Sequence, residues 1–418
     1  MTRSTRGRDG VTRRHFTAAA LATGSVAALG VRAPAVAQSQ TLKIGLVLPR
    51  TGYLAQPGQS CYRTVDIAPD LLTAATGVKV EIMAADFESN VDLARARTEK
   101  LIADGAQVMI GCFDSGGTTA MAQVCEQRGV PLVINIGSAP QITEQGYKTV
   151  FRNFPTSPQL VRNGLSLIKD LFAATGKTPS TAVFMHANDT FGQSAKAAFE
   201  TFLPQQNFPF KVLDTIAYDP KAQDLSVEIA KAKATQAELL LCTTRATDAI
   251  MTVRELVKQR YEPMGVISPG SPGMYDEQFY KTLGKYADFC ITNVPWYNPK
   301  AELTQRIEAA FKKRFPNDPF EAHAFNVGFT YEAMLVAAQA FKRAGGGEAK
   351  ALIEALRQTD IAEHMMVGGP IKFDEKGQNN GIASATVQNR KQRPTVVLPK
   401  DAAEMDPVFP MPGWSQRS

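Results

Sequence analysis

Residues 108–120 read VMIGCFDSGGTTA. The first four, Val108 to Gly111, are continuously apolar, the pattern of a strand buried on both faces of a parallel sheet. A polar loop, Asp114-Ser115-Gly116-Gly117, follows, and residues 118–128 read as a helix with Ser115 or Thr118 as its N-cap. Glycines let the backbone approach another group closely. The unpaired N–H groups at a helix start favour an anion such as a carboxylate. A plain strand-to-helix turn accounts for the same residues, so the loop gains meaning only from its surroundings.

Working outward, residues 42–48, 80–85 and 131–136 repeat the apolar pattern. Helical segments lie between them at 59–75, interrupted at Pro69, and at 92–104, capped by Ser89 or Asn90. Strands alternating with helices imply right-handed βαβ units and a parallel sheet. The loops after the strands, at 49–57, 86–90, 113–118 and 136–140, then share one edge, where such sheets bind ligands. The pattern restarts after Phe151-Arg152-Asn153-Phe154-Pro155. Strands are expected at 181–185, 211–216, 237–242, 265–268 and 289–294, with the clearest helices at 247–260 and 275–283. Two such arrays predict an α/β chain of two similar Rossmann-like lobes whose loop edges face each other across a cleft. Three helices at 301–314, 321–343 and 348–357, a β-like GPIKF at 369–373 and a Pro- and Met-containing surface tail complete the chain.

The 418 residues suffice for two domains, and 44% hydrophobic with 21% charged residues marks a globular composition. The formal charge is +6. Residues 1–37 carry six arginines against Asp9 alone, so nearly all of that excess lies in the leader and is no nucleic-acid footprint. The leader holds a twin-arginine motif at Arg13-Arg14, an Ala-rich apolar run at 18–31 and Ala35-Val36-Ala37, a small-residue cleavage pattern. It is expected to direct export to the periplasm and to be removed near Ala37. No cysteine stands at the cleavage point to carry a lipid.

Enzymatic chemistry finds little support. No GxGxxG follows a strand, and no P-loop lysine or GxSxG elbow occurs. The histidines 15, 186, 323 and 364 are isolated; His186, at a strand end, is the one to watch, with a core role as its plainer reading. Cys61, Cys112, Cys125, Cys242 and Cys290 are scattered without metal-ligand spacing. No metal or cofactor is expected. Most of these thiols read as small buried apolar groups, and one pair, Cys112 with Cys125 being nearest in sequence, is a candidate bridge.

The ordered motifs Pro49-x-Thr51-Gly52, VxIGxxxSGxT at 108–118 in the opening region, PLVxxxxSAP at 131–140, VFRxxPT at 150–156, DxFG at 189–192 and GPIKFDEKG at 369–377 resemble the type I periplasmic binding proteins. These are the branched-chain amino acid class of ABC-transporter receptors. The resemblance covers nearly all of 41–392. It implies lobe 1 at 41–155 plus 295–366, lobe 2 at 156–294 plus 367–392, and a tail at 393–418. A three-crossover hinge near 155, 294 and 367 would close the lobes on a ligand. The expected partners are a small carboxylate ligand and an inner-membrane ABC permease, with the receptor a monomer that binds no nucleic acid. On the matching positions, Ser115, Gly116 and Thr118 in one loop and Ile136 and Ser138 in another hold the ligand carboxylate. Phe191 closes from lobe 2, and Tyr53 and Phe87 add apolar wall.

Two departures point away from an amino acid. The loop Pro269-Gly270-Ser271-Pro272-Gly273-Met274-Tyr275 holds no carboxylate where the family's ammonium partner usually stands, and Asp276 supplies one only if the loop folds inward. Arg245 occupies a position where an aromatic is common, and a cation suits a carboxylate. The expected ligand is therefore an aromatic or other organic acid without an α-amino group, with Met274, Tyr275, Trp296 and Tyr297 as candidate walls. Local packing for each aromatic and a solvated position for Arg245 remain the plainer alternatives. A branched-chain amino acid receptor, or a ligand sensor on the same fold, is the runner-up.

Overall fold

The computed structural model describes residues 41–400 and 402–417. The twin-arginine leader and its cleavage site lie outside the described residues. The first lobe is built on a parallel sheet. β1 (Leu42–Leu48) leads through α1 (Ala55–Tyr62) and α2 (Thr64–Thr76) to β2 (Val80–Asp86). Then come α3 (Val91–Ala103), β3 (Val108–Gly111), α4 (Ser115–Arg128), β4 (Leu132–Ile134), the short α5 (Gln141–Glu144) and β5 (Val150–Arg152). The strand order is β2-β1-β3-β4-β5.

The chain crosses to a second sheet through α6 (Ser157–Thr175), β6 (Thr181–Ala187), α7 (Thr190–Phe202), β7 (Lys211–Tyr218), α8 (Ser226–Ala234) and β8 (Leu239–Thr243). It continues with α9 (Ala246–Lys258), β9 (Gly265–Pro269), α10 (Glu277–Leu283) and β10 (Ile291–Pro295). It returns to the first lobe for α11 (Glu302–Arg314), α12 (Phe320–Ala344) and α13 (Ala349–Arg357). A small antiparallel pair, β11 (Asp360–Ile361) and β12 (Ile371–Lys372), precedes the last crossing. β13 (Ser384–Arg390) and β14 (Arg393–Leu398) then extend the second sheet antiparallel, giving β14-β13-β10-β9-β8-β6-β7. Residues 393–398, read from sequence as the start of a surface tail, are thus an edge strand. Only the segment beyond them runs over the surface, pinned by Trp414 and Arg417.

Strand residues alternate between two faces. In the second sheet Val183, Met185, Leu240 and Cys242 face one apolar layer, and Ala182, Phe184, Leu239 and Leu241 face the other. Both faces are covered, which is why these runs read as continuously apolar. The helix expected at 59–75 is instead two, broken at Arg63 and not at Pro69. Pro69 forfeits one backbone hydrogen bond, and Ile67, Ala68 and Leu72 hold α2 in the core through that gap. All five cysteines are buried free thiols, with burial pushing the Cys61 thiol up to about 12.

The three crossing segments lie side by side. The Val367 N–H donates to the Trp296 carbonyl at 2.8 Å, and the Asn379 N–H to the Arg152 carbonyl at 2.9 Å. Glu332, fully buried on α12, accepts from the Asn153 side chain at 3.0 Å and from the Met365 N–H at 2.7 Å. Asn153 in turn accepts from Asn379 at 2.8 Å. One carboxylate therefore ties together parts of the crossing segments.

Candidate functional site

In each sheet the chain reverses its direction of winding beside one strand, between β1 and β3 in the first and between β6 and β8 in the second. Adjacent loops at such a point diverge and leave a crevice at the carboxyl ends. Asp114 follows β3, Asp189 follows β6 and Arg245 follows β8, so the topology itself brings these three together.

Asp114 is the N-cap of α4. Its Oδ2 accepts from the N–H groups of Gly116 at 2.9 Å and Gly117 at 3.1 Å. Asp189 caps α7, its Oδ1 accepting from the Gly192 N–H at 2.9 Å. Each keeps its other oxygen for Arg245. Nη2 donates to Asp114 Oδ1 at 2.9 Å, across the two lobes, and Nη1 lies 2.8 Å from Asp189 Oδ2. The second contact is a charge pair without hydrogen-bond alignment, so Nη1 retains unspent donors. The guanidinium lies 4.7 Å from the centre of the Phe191 ring. Arg245 stands at the start of α9, where its own N–H donates to Asp248 Oδ1 at 2.7 Å. A cation at a helix start meets the unfavourable end of the dipole. Burial also works against the charge, yet Asp189 and Asp114 outweigh both and hold its pKa above arginine's ordinary value. Burial pushes Asp248, which also receives the Tyr218 hydroxyl, up to about 6.

Beside this corner lies a tight cavity of about 20 Å³. Phe113, Phe154, Phe191 and Phe325 line it with Ile136, Leu160, Val294 and Pro272; Ser115, Ser138, Asp114 and Arg245 supply its polar edge. Phe113 adopts φ 73°, a left-handed conformation uncommon for a large side chain, and its N–H is held by Asn135 Oδ1 at 3.2 Å. The Ser115 hydroxyl accepts from the N–H groups of Ser138 and Ala139, both at 3.2 Å, tying the two lobe-1 loops together. Fully buried Arg152 fixes the second loop from below through the carbonyls of Gly137 at 3.1 Å and Ala139 at 2.8 Å.

Of the residues expected at a site, Ser115, Ile136, Ser138, Phe191 and Arg245 come together on this cavity. The others do not line it. α4 begins at Ser115, so Asp114 is the cap expected of Ser115 or Thr118. Thr118 is buried beneath, donating to the Asp114 carbonyl. Gly116 sits at the seam between α4 and α7 and gives its N–H to Asp114. Gly117 serves packing: a Cβ there would lie 2.5 Å from Cys112 Sγ. Phe87 is buried in the lobe-1 core, Met274 in a lobe-2 layer, and Tyr275 packs behind Phe325 at 5.2 Å. Tyr53 lines a separate groove with Lys221 and Gln56. Asp276 is the N-cap of α10 and accepts from the Gln278 N–H and the Gln56 side chain, not from the cavity. Trp296 and Tyr297 pack against each other at the second crossing, their rings tilted by 37°. His186 is a core residue bonded to the Ala187 carbonyl. Sequence reasoning missed Asp114, whose capping signature was visible, and Phe113, Phe154 and Phe325, which carry no local signal. Among the described residues no cluster of His, Cys, Asp and Glu suits a metal, and no helix is long and apolar enough to cross a membrane.

The periplasmic binding protein family model matches residues 41–391. Leu/Ile/Val-binding protein homolog 8 of Brucella suis is 23% identical over 405 residues, covering 90% of this chain and 96% of that protein. Among solved structures, the leucine-binding protein LivK of Thermotoga maritima superposes with a TM-score of 0.73 at 19% identity, covering 85% of this chain and 97% of that one. An ABC-transporter solute-binding protein of R. palustris, in complex with benzoate, also gives 0.73 at 19% identity, covering 88% and 98%. At these identities the two structures speak for a shared two-lobed fold.

Proposed function

The chain belongs to the periplasmic binding protein family, solute-binding receptors of ABC transporters and not enzymes, and on that premise we propose that its solute is a small monocarboxylate with an aromatic or otherwise apolar body and no α-amino group. The observation that carries this reading is the composition of the cavity wall. Four phenylalanines line it, and its one carboxylate, Asp114, is engaged by Arg245. An ammonium group entering there meets no free acid. The benzoate held by the R. palustris neighbour fits the same chemistry.

In this reading the ligand carboxylate lies against the Ser115 and Ser138 hydroxyls and the unspent Nη1 donors of Arg245, while Phe191 closes over the ring. The lobes, split as 41–155 plus 295–366 and 156–294 plus 367–392, pivot on the three crossings. Ligand shifts the population toward the closed form, which an inner-membrane permease recognises. The family works in the periplasm; the twin-arginine leader delivers the folded monomer there and is cleaved near Ala37.

A thermal-shift screen tests the ligand class, since a compound that binds only the folded state raises the midpoint. Benzoate and related amine-free acids are expected to raise it, and leucine and phenylalanine to leave it unchanged. A rise with leucine alone replaces this reading with a branched-chain amino acid receptor.

A further inference from the structure

We propose that Arg245 is a specificity-determining residue that acts as a tethered cation: it fills an acidic corner of the cleft and so keeps ligand ammonium groups out. The inference rests on the interlobe cavity being the ligand site. Three helix starts converge there, those of α4, α7 and α9. Two are capped by aspartates, each dividing its oxygens between its own helix and the space between the lobes. Without Arg245 the two outward oxygens, one from each lobe, form a paired-carboxylate site for a ligand cation. The guanidinium occupies that site from within the chain, 2.9 Å from Asp114 and 2.8 Å from Asp189. Its side chain is 7% exposed, that of Asp114 8% and that of Asp189 18%, so water screens the trio little.

The trio carries one positive and two negative charges. It therefore leaves no free acid for an amine and disfavours a second ligand anion, while a monoanion places its charge between the serine edge and the unspent Nη1 donors. The phenylalanine stack on one face of the guanidinium and the Asp248 bond to its backbone hold Arg245 in this position.

Calorimetric titration of the purified exported protein tests this, with benzoate, benzylamine and terephthalate as probes. Arg245→Ala exposes both aspartates to the cleft. It is expected to bind benzylamine about tenfold or more tighter than the parent does, a difference of about 1.4 kcal/mol. Adding Asp114→Asn removes that gain. A folded Arg245→Ala protein with no gain for benzylamine overturns the proposal. Where Arg245→Ala fails to fold, Asp114→Asn decides, because asparagine caps helices as well as aspartate does. That variant frees one edge of the guanidinium and is expected to raise affinity for the dianion terephthalate about tenfold relative to benzoate. An unchanged terephthalate-to-benzoate ratio overturns the proposal. The ligand class is judged separately, by whether the parent protein binds benzoate at all.

Discussion

Two buried arginines, Arg152 and Arg245, divide the labour of this cleft, and their surroundings differ more than their burial. Arg152 is 0% exposed and Arg245 5%. Arg152 is held by neutral acceptors, the carbonyls of Gly137, Ala139 and Pro140 and the Thr143 hydroxyl. With no carboxylate in contact, burial brings its guanidinium down to about 9. Arg245 is held by carboxylates, which keep it charged despite burial. The side-chain partners of Arg152 all lie in lobe 1, in the segment from Gly137 to Thr143, so opening the cleft leaves them in place. Those of Arg245 lie on both lobes, so opening breaks its bond to Asp114. A buried cation with neutral partners on one lobe is a pin; one shared between lobes by charge is a tie between them.

The contrast is broken most sharply by removing each side chain. Arg152→Met leaves buried carbonyls without donors and is expected to lower unfolding stability by about 3–4 kcal/mol, read by urea denaturation without ligand. Arg245→Ala is expected to lower ligand-free stability by less than about 1 kcal/mol, because the cleft opens and water reaches Asp114 and Asp189. Its effect falls on binding, with benzoate affinity down about tenfold or more. Equal stability losses in the two variants would erase the distinction, and unchanged benzoate affinity would place Arg245 outside the site.

The same contrast explains what was legible in the sequence. Strands such as 42–48 and 108–111 announced themselves, because burial on both faces forces a continuous apolar run. Ser115, Ser138 and Phe191 were read as candidates from the resemblance to the binding-protein family, and the fold brings them to one cavity. Arg152 lay inside a quoted motif, yet its role was invisible: backbone carbonyls leave no residue-type signature. Asp114 was misread because three residues in one short loop can cap a helix, and only the fold shows which carboxylate also reaches Arg245. Phe325 sits on α12, buried on nearly every side, which has no amphipathic face to mark its orientation. Met274 and Tyr275 were chosen for their proximity to the loop, but Gly270 at φ 89° and Gly273 at φ 129° turn the chain so that they enter the cores.

Asp276 sharpens the comparison with a buried acid. Its partners are the Gln278 N–H and Gln56, with no cation bonded, and burial raises it from 3.8 to about 7. A raised acid pKa means the folded state binds the extra proton. The stabilisation is therefore complete below the ordinary value and lost as pH rises through the folded one. Asp276→Asn mimics the protonated form at every pH. It is expected to exceed the parent in stability by about 1 kcal/mol above pH 7, the buried amide's own hydrogens offsetting part of the relief, and to match it near pH 4. Melting curves across that range check the sign. A gap that widens toward acid would mean the carboxylate is stabilised as an anion.

The smallest expected effect is at Ser138, and it tests whether the serine edge works as a set. The Ser138 hydroxyl lies 3.0 Å from that of Ser157, on the first crossing's far side, and its N–H is bound to Ser115 Oγ at 3.2 Å. Ser138→Ala removes one hydroxyl and leaves the loop pinned by Arg152 through the Gly137 and Ala139 carbonyls. The Ser115 hydroxyl and the unspent Arg245 Nη1 donors remain to receive a carboxylate. A single neutral hydrogen bond contributes about 0.5–1.5 kcal/mol, so benzoate affinity is expected to fall only a few-fold. Titration at fixed pH measures it. Complete loss of binding in a protein that melts like the parent would mean that one hydroxyl, and not a shared set of donors, holds the ligand. Arg152 would then matter chiefly as the support that aims that hydroxyl.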